Sequence, residues 1–282
     1  MRGYDTFPSV LDLVTVGEAF DDYIFHGLSA LPAPGRELKT DNFVKTIGGG
    51  AVITAIAAAR IGGARCGIVS ALSRDAAARL RRERVAVKNL RRGTEPIAIT
   101  VALSTARDRR FITYNGANSV LGHRLRLVVP RLRARHVHFA FDPRPCKPWI
   151  RIVECLRADG CRTSWDFGWN ESLVRDREFA RLCQTVDVLF VNRDEERLYR
   201  PKLSANLIVT KLGAAGARAV GPGFAVRTAH LTRHTTAVDT TGAGDVFNAG
   251  FIVARLRGAS ITDALHAANR VAAKSTERVG GI

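Results

Sequence analysis

The chain has 282 residues, 46% of them apolar, enough to build the core of one large or two small α/β domains, so disorder is excluded as the default state. Its net charge of +17 comes from 36 arginines and 7 lysines against 26 acids, but the arginines are scattered, with short clusters at 79–84, 91–92 and 131–135 and few aromatics among them. That pattern describes a solvated basic surface with salt-sensitive affinity for polyanions, so no specific nucleic-acid partner is expected, and a nucleic-acid binder rests on charge alone.

Residues 10–17, VLDLVTVG, are a short apolar run ending in glycine and predict a buried first strand. Asp21 and Asp22 follow, and Asp21 is expected to be solvated. The Pro-, Gly- and polar-rich stretch 27–47 contains alternating segments such as LKTDNFVKTI, expected as short, partly exposed strands. GGGAVITAIAAARIGG (48–63) reads as a glycine turn, an Ala-rich helix and a glycine stop. RCGIVSAL predicts a strand, 75–84 a basic helix, and 97–105 with 109–118 a hairpin.

From about residue 137 strand–helix units repeat. HVHFAF is a strand, 148–159 a helix, CRTSWDFG a strand ending at Asp166, and 172–184 a helix. VDVLFVN is a strand ending at Asn192, LIVTKLG a strand ending in a glycine turn, and GFAVRTAHL an edge strand, before two helices over 244–257 and 262–276. Such alternation predicts a mainly parallel sheet with helices on both faces. Its polar residues gather at strand C-termini, where open α/β sheets bind ligands. No repeat or linker divides the chain, so 1–282 is expected as a single domain, with strands from 27–47 and 97–118 projecting as a small sheet. Five widely spaced cysteines lack zinc spacing and predict reduced, mostly buried thiols. There is no signal-peptide pattern and no apolar run of ~18 residues, so a cytoplasmic protein that does not enter membranes is expected.

VDTTGAGDVFNAGF (238–251) carries the chemistry. Gly242 and Gly244 permit a turn whose N–H groups form an anion-binding nest, and the following helix adds its N-terminal dipole. Helix capping would explain Asp245 alone, but not the Gly-Ala-Gly turn or the small helix face at Ala249 and Gly250. A P-loop is absent, and Phe247 stands where the dinucleotide fingerprint needs its third glycine. No GxSxG, HExxH or thiol–imidazole signature occurs.

These segments resemble the pfkB (ribokinase-like) carbohydrate kinases. DTTGAGDVFNAGF is similar to the family's second signature and GGGAVITAIAAARIGG to its first. NRDE (192–195) resembles its N-x-x-E element, VTKLGAAG (209–216) its nucleotide-loop strand, and Ala268-Asn269 fits its last helix. The resemblance runs in order from about Val14 to Gly281. It implies an α/β fold, a three-layer α/β/α sandwich with a mainly parallel central sheet and a small β lid. It implies ATP-dependent phosphorylation of a hydroxymethyl group on a sugar or sugar-like acceptor. A nucleoside kinase of the same fold and a non-catalytic ligand binder are the alternatives. ATP and Mg2+ follow as cofactors, and the family leaves room for a monovalent cation and a homodimer formed through the lid.

Carried over residue by residue, the resemblance makes Asp245 the general base, a carboxylate of ordinary basicity. The N–H groups of Gly242, Ala243 and Gly244 would form the anion hole for the transferring phosphoryl group. Asn192 and Glu195 would organise Mg2+ and the phosphates, Glu195 through water; a helix cap followed by a first-turn acid is the alternative. Thr210, Gly213 and Asn269 would border the nucleotide. Lys211 is left open between phosphate contact and surface exposure. Asp22 would accept hydrogen bonds from acceptor hydroxyls, and Gly49 and Gly50 would let the backbone approach the acceptor. Asn118 either reaches the same pocket or serves the turn. Ile53 stands where the first signature usually carries Asn, which removes one partner for a sugar hydroxyl, and the segment from Asn192 to Thr210 is short for the family, leaving little room for a helix between those strands.

Overall fold

β-branched runs ending in glycine or polar residues set the strands, and the computed structural model, which describes residues 7, 9–105, 109–228 and 239–277, arranges them in two sheets. The elements up to residue 128 are β1 (Leu11–Gly17), β2 (Phe20–Leu28), β3 (Phe43–Gly48), α1 (Gly50–Ile61), β4 (Cys66–Ser70), α2 (Arg74–Arg82), β5 (Ala86–Asn89), β6 (Ile99–Thr105), β7 (Arg109–Tyr114) and α3 (Leu121–Val128). There follow β8 (Ala134–Ala140), α4 (Lys147–Ala158), β9 (Arg162–Asp166), α5 (Phe179–Thr185), β10 (Val188–Asn192) and α6 (Arg193–Tyr199). The last elements are β11 (Ile208–Lys211), β12 (Ala217–Gly221), β13 (Phe224–Thr228), α7 (Ala243–Leu256) and α8 (Ile261–Ser275).

The main sheet runs β13-β12-β11-β10-β9-β8-β1-β4-β5; the seven strands from β11 to β5 are parallel, and β12 and β13 form an antiparallel edge. Alternation along β1 sends Leu13 into the core under α1, α7 and α8, and Val14 and Val16 into the core under α3, α4 and α5. The result is three layers. On the second side Phe139 stacks on Trp165 at 4.4 Å, and Trp149 meets Trp165 edge-on at 5.6 Å; burying each such ring contributes about 1.5–3 kcal/mol. On the first side Gly250 lets α7 and α8 touch, because a Cβ there would lie 2.5 Å from Val271 Cγ2 and 2.9 Å from the Ala268 Cα.

The second sheet, β3-β2-β6-β7, is the lid: β2 pairs antiparallel with β3 and parallel with β6, and β6 pairs antiparallel with β7. Its strands differ from those expected over 27–47. β2 begins at Phe20, and no strand forms over 29–42, where Pro32 and Pro34 cannot donate to a ladder. Asp21 is buried, not solvated, and accepts from Ser73 Oγ at 2.7 Å. The helix expected over 172–184 is broken into a 3-10 turn (Glu171–Arg175) and α5, because Asp176 Oδ1 accepts from the Glu178 N–H at 2.8 Å and turns the chain. A helix does fit between Asn192 and Thr210: α6, seven residues long. Of the segment read as an edge strand, 229–231 lie outside the described residues, as does the end of the resemblance at Gly281. Four cysteines are buried and Cys155 is exposed. No described helix is long and apolar enough to cross a membrane.

Candidate active site

Parallel strands end side by side at one edge of the main sheet: β1 at Gly17, β8 at Ala140, β9 at Asp166, β10 at Asn192 and β11 at Lys211. The start of α7 sits on this edge. Its N-cap, Gly242, is left-handed at φ 71°, a conformation glycine takes without strain. Asp239 Oδ1 braces the preceding turn, accepting from the Thr241 N–H at 2.8 Å and the Thr241 hydroxyl at 2.6 Å. The N–H groups of Gly242 and Gly244 have no partner among the described residues, whereas the Ala243 N–H donates to the Thr240 carbonyl at 3.2 Å. Two of the three expected donors therefore remain for an anion, and Ala243's is withdrawn into the turn.

The β3–α1 turn lies against two carboxylates, which explains its glycines. A Cβ on Gly50 would lie 3.0 Å from Asp245 Oδ1 and 3.0 Å from the Ala140 Cβ; one on Gly48 would lie 1.9 Å from Asp22 Oδ2. Gly49 holds φ +97°, and a Cβ there would lie 2.4 Å from the Glu18 carbonyl oxygen. Thr54 Oγ1 donates to the Asp245 carbonyl at 3.2 Å and ties α1 to the start of α7. Ile53 is buried against the anion turn: a Cβ on Gly242 would lie 2.8 Å from Ile53 Cδ1. The residue at the usual Asn position thus supports the loop.

Under Asp245 lies a buried polar cluster. Asp166 Oδ2 accepts from Lys211 Nζ at 2.6 Å and from Asn248 Nδ2 at 2.7 Å. The Lys211 side chain is 14% exposed, so surface exposure is overturned, and its Nζ would sit 3.3 Å from a Cβ on Gly244. Burial alone would depress the Lys211 ammonium, but Asp166, Glu195 and Asp245 outweigh it and hold it above its usual value. Burial pushes Asp166 up, yet the charge and hydrogen bond of Lys211 and the bond from Asn248 hold it below the usual carboxylate range. For Asp245 desolvation dominates, the Asp166 charge adds to it, and Lys211 offsets only part, so its carboxyl rises to about 7. Its basicity is therefore not ordinary; it is poised near neutrality, where a general base works best.

Beside Gly48, Asp22 is half-buried, receives no hydrogen bond from the described residues, and is pushed to about 7 by desolvation and by Asp21. Glu18, at the end of β1, rises to about 7 by burial and the Asp142 charge. Asn118 is buried rather than part of an exposed turn; its Nδ2 donates to the Ala19 carbonyl at 3.0 Å, and its Oδ1 has no partner among the described residues. It therefore positions the segment between Glu18 and Asp22.

At the start of α6, Asn192 and Glu195 form a full capping box. Asn192 Oδ1 accepts from the N–H groups of Asp194 and Glu195, both at 2.9 Å, and Glu195 Oε2 accepts from the Asn192 N–H at 2.8 Å. Glu195 Oε1 receives nothing from the described residues, and burial with the Asp166 charge raises this carboxyl. Gly213 sits at an exposed turn with open space where a Cβ would be. Asn269 Nδ2 donates to Thr228 Oγ1 at 2.9 Å, joining α8 to the edge hairpin. Thr210 is not brought to this surface: alternation turns it away from Lys211, and its hydroxyl is fully buried without a partner among the described residues. Among the described residues no group of three or more His, Cys, Asp or Glu side chains is placed to hold a metal directly.

Asp166 and Asn248 escaped the sequence reading as site residues. Asp166 had a usable signal, an acid at the C-terminal end of a parallel strand; Asn248 had none beyond lying one helical turn after Asp245.

A nest with an adjacent carboxylate and a buried cation, on a three-layer α/β fold with a β lid, defines a phosphotransferase acting on an alcohol group. Residues 10–282 match the pfkB family carbohydrate kinases, and the chain belongs to that family. It is 28% identical to a nucleoside kinase from Methanothermobacter thermautotrophicus, across 95% of this chain and 90% of that protein. Its fold is similar to the crystal structure of adenosine kinase from Sinorhizobium meliloti (TM-score 0.78, 23% identity, covering 97% of this chain and 96% of that one). It is likewise similar to Arabidopsis thaliana ribokinase complexed with ribose and ATP (TM-score 0.75, 22% identity, 96% and 94%).

Proposed function

We propose that this protein is an ATP-dependent kinase that transfers the γ-phosphoryl group to a hydroxymethyl group of a sugar or nucleoside, with Asp245 as base. The observation that carries this reading is the Asp245 carboxylate against Gly50, beside the free N–H groups of Gly242 and Gly244 and above Lys211. The acceptor hydroxyl gives its proton to Asp245 as its oxygen bonds to the γ-phosphorus. The bond from that phosphorus to the β–γ bridging oxygen breaks, and ADP leaves. The two N–H groups and Lys211 meet the charge on the transferring group. Asp22, without an internal donor, takes hydroxyls of the acceptor. Mg2+ arriving with ATP would neutralise phosphate charge, and the unused Oε1 of Glu195 suits one of its waters. Gly213 and Asn269 would border the adenosine. A nucleoside acceptor is favoured by the full-length likeness to a nucleoside kinase. Exposed Phe43, Ile112 and Tyr114 on the lid support pairing of two chains there, which a sedimentation measurement would test.

The test is an ADP-release screen over sugars, sugar phosphates, sugar acids, inositol and nucleosides with Mg2+ and ATP. Turnover on at least one neutral polyol or nucleoside is expected. Ligand binding without any ADP release would instead favour a non-catalytic binder.

A further inference from the structure

At the opposite edge of the main sheet, the starts of β8, β9 and β10 and the end of α7 enclose a cleft of about 660 Å³. Arg135, Arg157, Arg162 and Arg255 line it against a single carboxylate, Asp187. Asp187 is buried and already engaged. Its Oδ2 accepts from the Thr163 N–H and hydroxyl at 2.8 and 2.9 Å, and its Oδ1 meets Arg157 Nε at 3.1 Å and Arg162 at 3.8 Å. Arg135 pairs with Asp12, which it shares with Arg65. Among the described residues Arg255 has only the Ala259 carbonyl. Buried Asp187 and half-buried Asp12 thus each serve two guanidiniums, and the cleft keeps net positive charge.

Two of these cations are also held in place by backbone carbonyls. Arg157 Nη1 donates to the Thr185 carbonyl at 2.9 Å and Arg135 Nη2 to the Leu256 carbonyl at 3.0 Å. His136, 6% exposed, lines the same cleft; its Nε2 lies 2.8 Å from Ser164 Oγ, and its Nδ1 has no partner among the described residues. The remaining wall is apolar, with Phe224, Leu256 and Ile261. Guanidiniums fixed in this way suit phosphate oxygens, and an apolar wall suits the organic body attached to them.

We propose that this cleft is a binding site for an organic phosphate, separate from the kinase site. α7 runs from one to the other, its 14 residues spanning about 21 Å.

The test is calorimetric titration of the full chain with phenyl phosphate and with inorganic phosphate at physiological salt. The kinase site also accepts phosphate, so the protein is compared with the double variant Arg162→Gln/Arg255→Gln. Arg81→Gln/Arg82→Gln, on exposed positions of α2, is the control for general surface charge. The cleft variant should weaken one class of phenyl phosphate sites by about tenfold or more, the loss of one or two charged hydrogen bonds. The other class, the control variant and turnover should be unchanged, and phenyl phosphate should bind the cleft more tightly than inorganic phosphate. Unchanged binding in the cleft variant, or an equal loss in the control, would overturn the site. Equal affinity for the two probes would overturn its organic half.

Discussion

Lys211 Nζ lies 2.6 Å from Asp166 Oδ2 and directly beneath Gly244, so one buried cation serves both a buried carboxylate and the turn that would receive the phosphoryl group. Lys211→Met removes that cation. Asp166 then keeps only its neutral partners, and breaking such a buried pair costs about 3–5 kcal/mol. Turnover should fall about 10²–10³-fold, as for loss of one anion-stabilising donor. Without Lys211 the Asp245 carboxyl also rises further, so the acid limb of the rate profile moves to higher pH. Adding Asp166→Asn should recover stability in urea melts without recovering turnover. A single variant with an unmoved acid limb would refute the coupling.

The wild-type profile carries its own prediction. Asp245, Asp22 and Glu18 are all pushed to about 7, each mainly by burial, so each is charged only above that pH. In the proposed mechanism Asp245 as base and Asp22 as hydroxyl acceptor both need the charge, so kcat/KM should climb between pH 6 and 8. Asp22→Asn should make the climb shallower and leave the Asp245 ionisation. Stability runs the opposite way. Between the ordinary carboxylate range and about 7 the folded state binds more protons than the unfolded chain, so stability falls as pH rises through that window. A rate that is flat from pH 5.5 upward would contradict these assignments.

Gly50 and Gly48 separate the two halves of the site. In Gly50→Ala the new methyl presses on Asp245 Oδ1 and Ala140 from 3.0 Å. Displacing the base by a fraction of an ångström to 1 Å should lower kcat by up to about 10²-fold, with ATP affinity unchanged. Gly48→Ala instead strikes Asp22, at 1.9 Å, and should raise the acceptor KM. Steady-state kinetics on both variants distinguish the effects, and identical kinetic defects would remove the division of roles.

The anion turn was legible because its glycines, its acid and its helix are contiguous in sequence. The main sheet was legible because its buried strands are apolar runs. The cluster beneath Asp245 was not, because Lys211 and Asn248 meet Asp166 across 45 and 82 positions, and nothing local marks such a contact. The same holds for Asp21, whose burial depends on Ser73, 52 residues away. β5 and β12, at four and five residues, are too short to show a period, and α5 was cut short by a single side chain, that of Asp176. Thr210 was misplaced through alternation: adjacent strand residues face opposite ways, and Lys211 took the site face.

Glu195→Gln tests the metal role separately from the cap. Glutamine preserves the capping box, so α6 and its stability should be nearly unaffected. The lost charge should raise the Mg2+ concentration needed for half-maximal rate, with ATP binding changed less. A Mg2+ titration of initial rate decides it, and an unchanged dependence would leave Glu195 as a capping residue only.

The measurement closest to the central claim is Asp245→Asn, with ATP binding followed by calorimetry and ADP release followed with the best acceptor from the screen. Asn keeps the size of the side chain, and loss of a helix-start acid costs only ~0.5–2 kcal/mol, so the variant should fold. Removing the base should lower turnover by about 10²–10⁴-fold. ATP affinity should stay within about tenfold or rise, because a negative charge beside the γ-phosphate is gone. Near-normal turnover in the folded variant would contradict Asp245 as the base, and with it the mechanism assigned to this site.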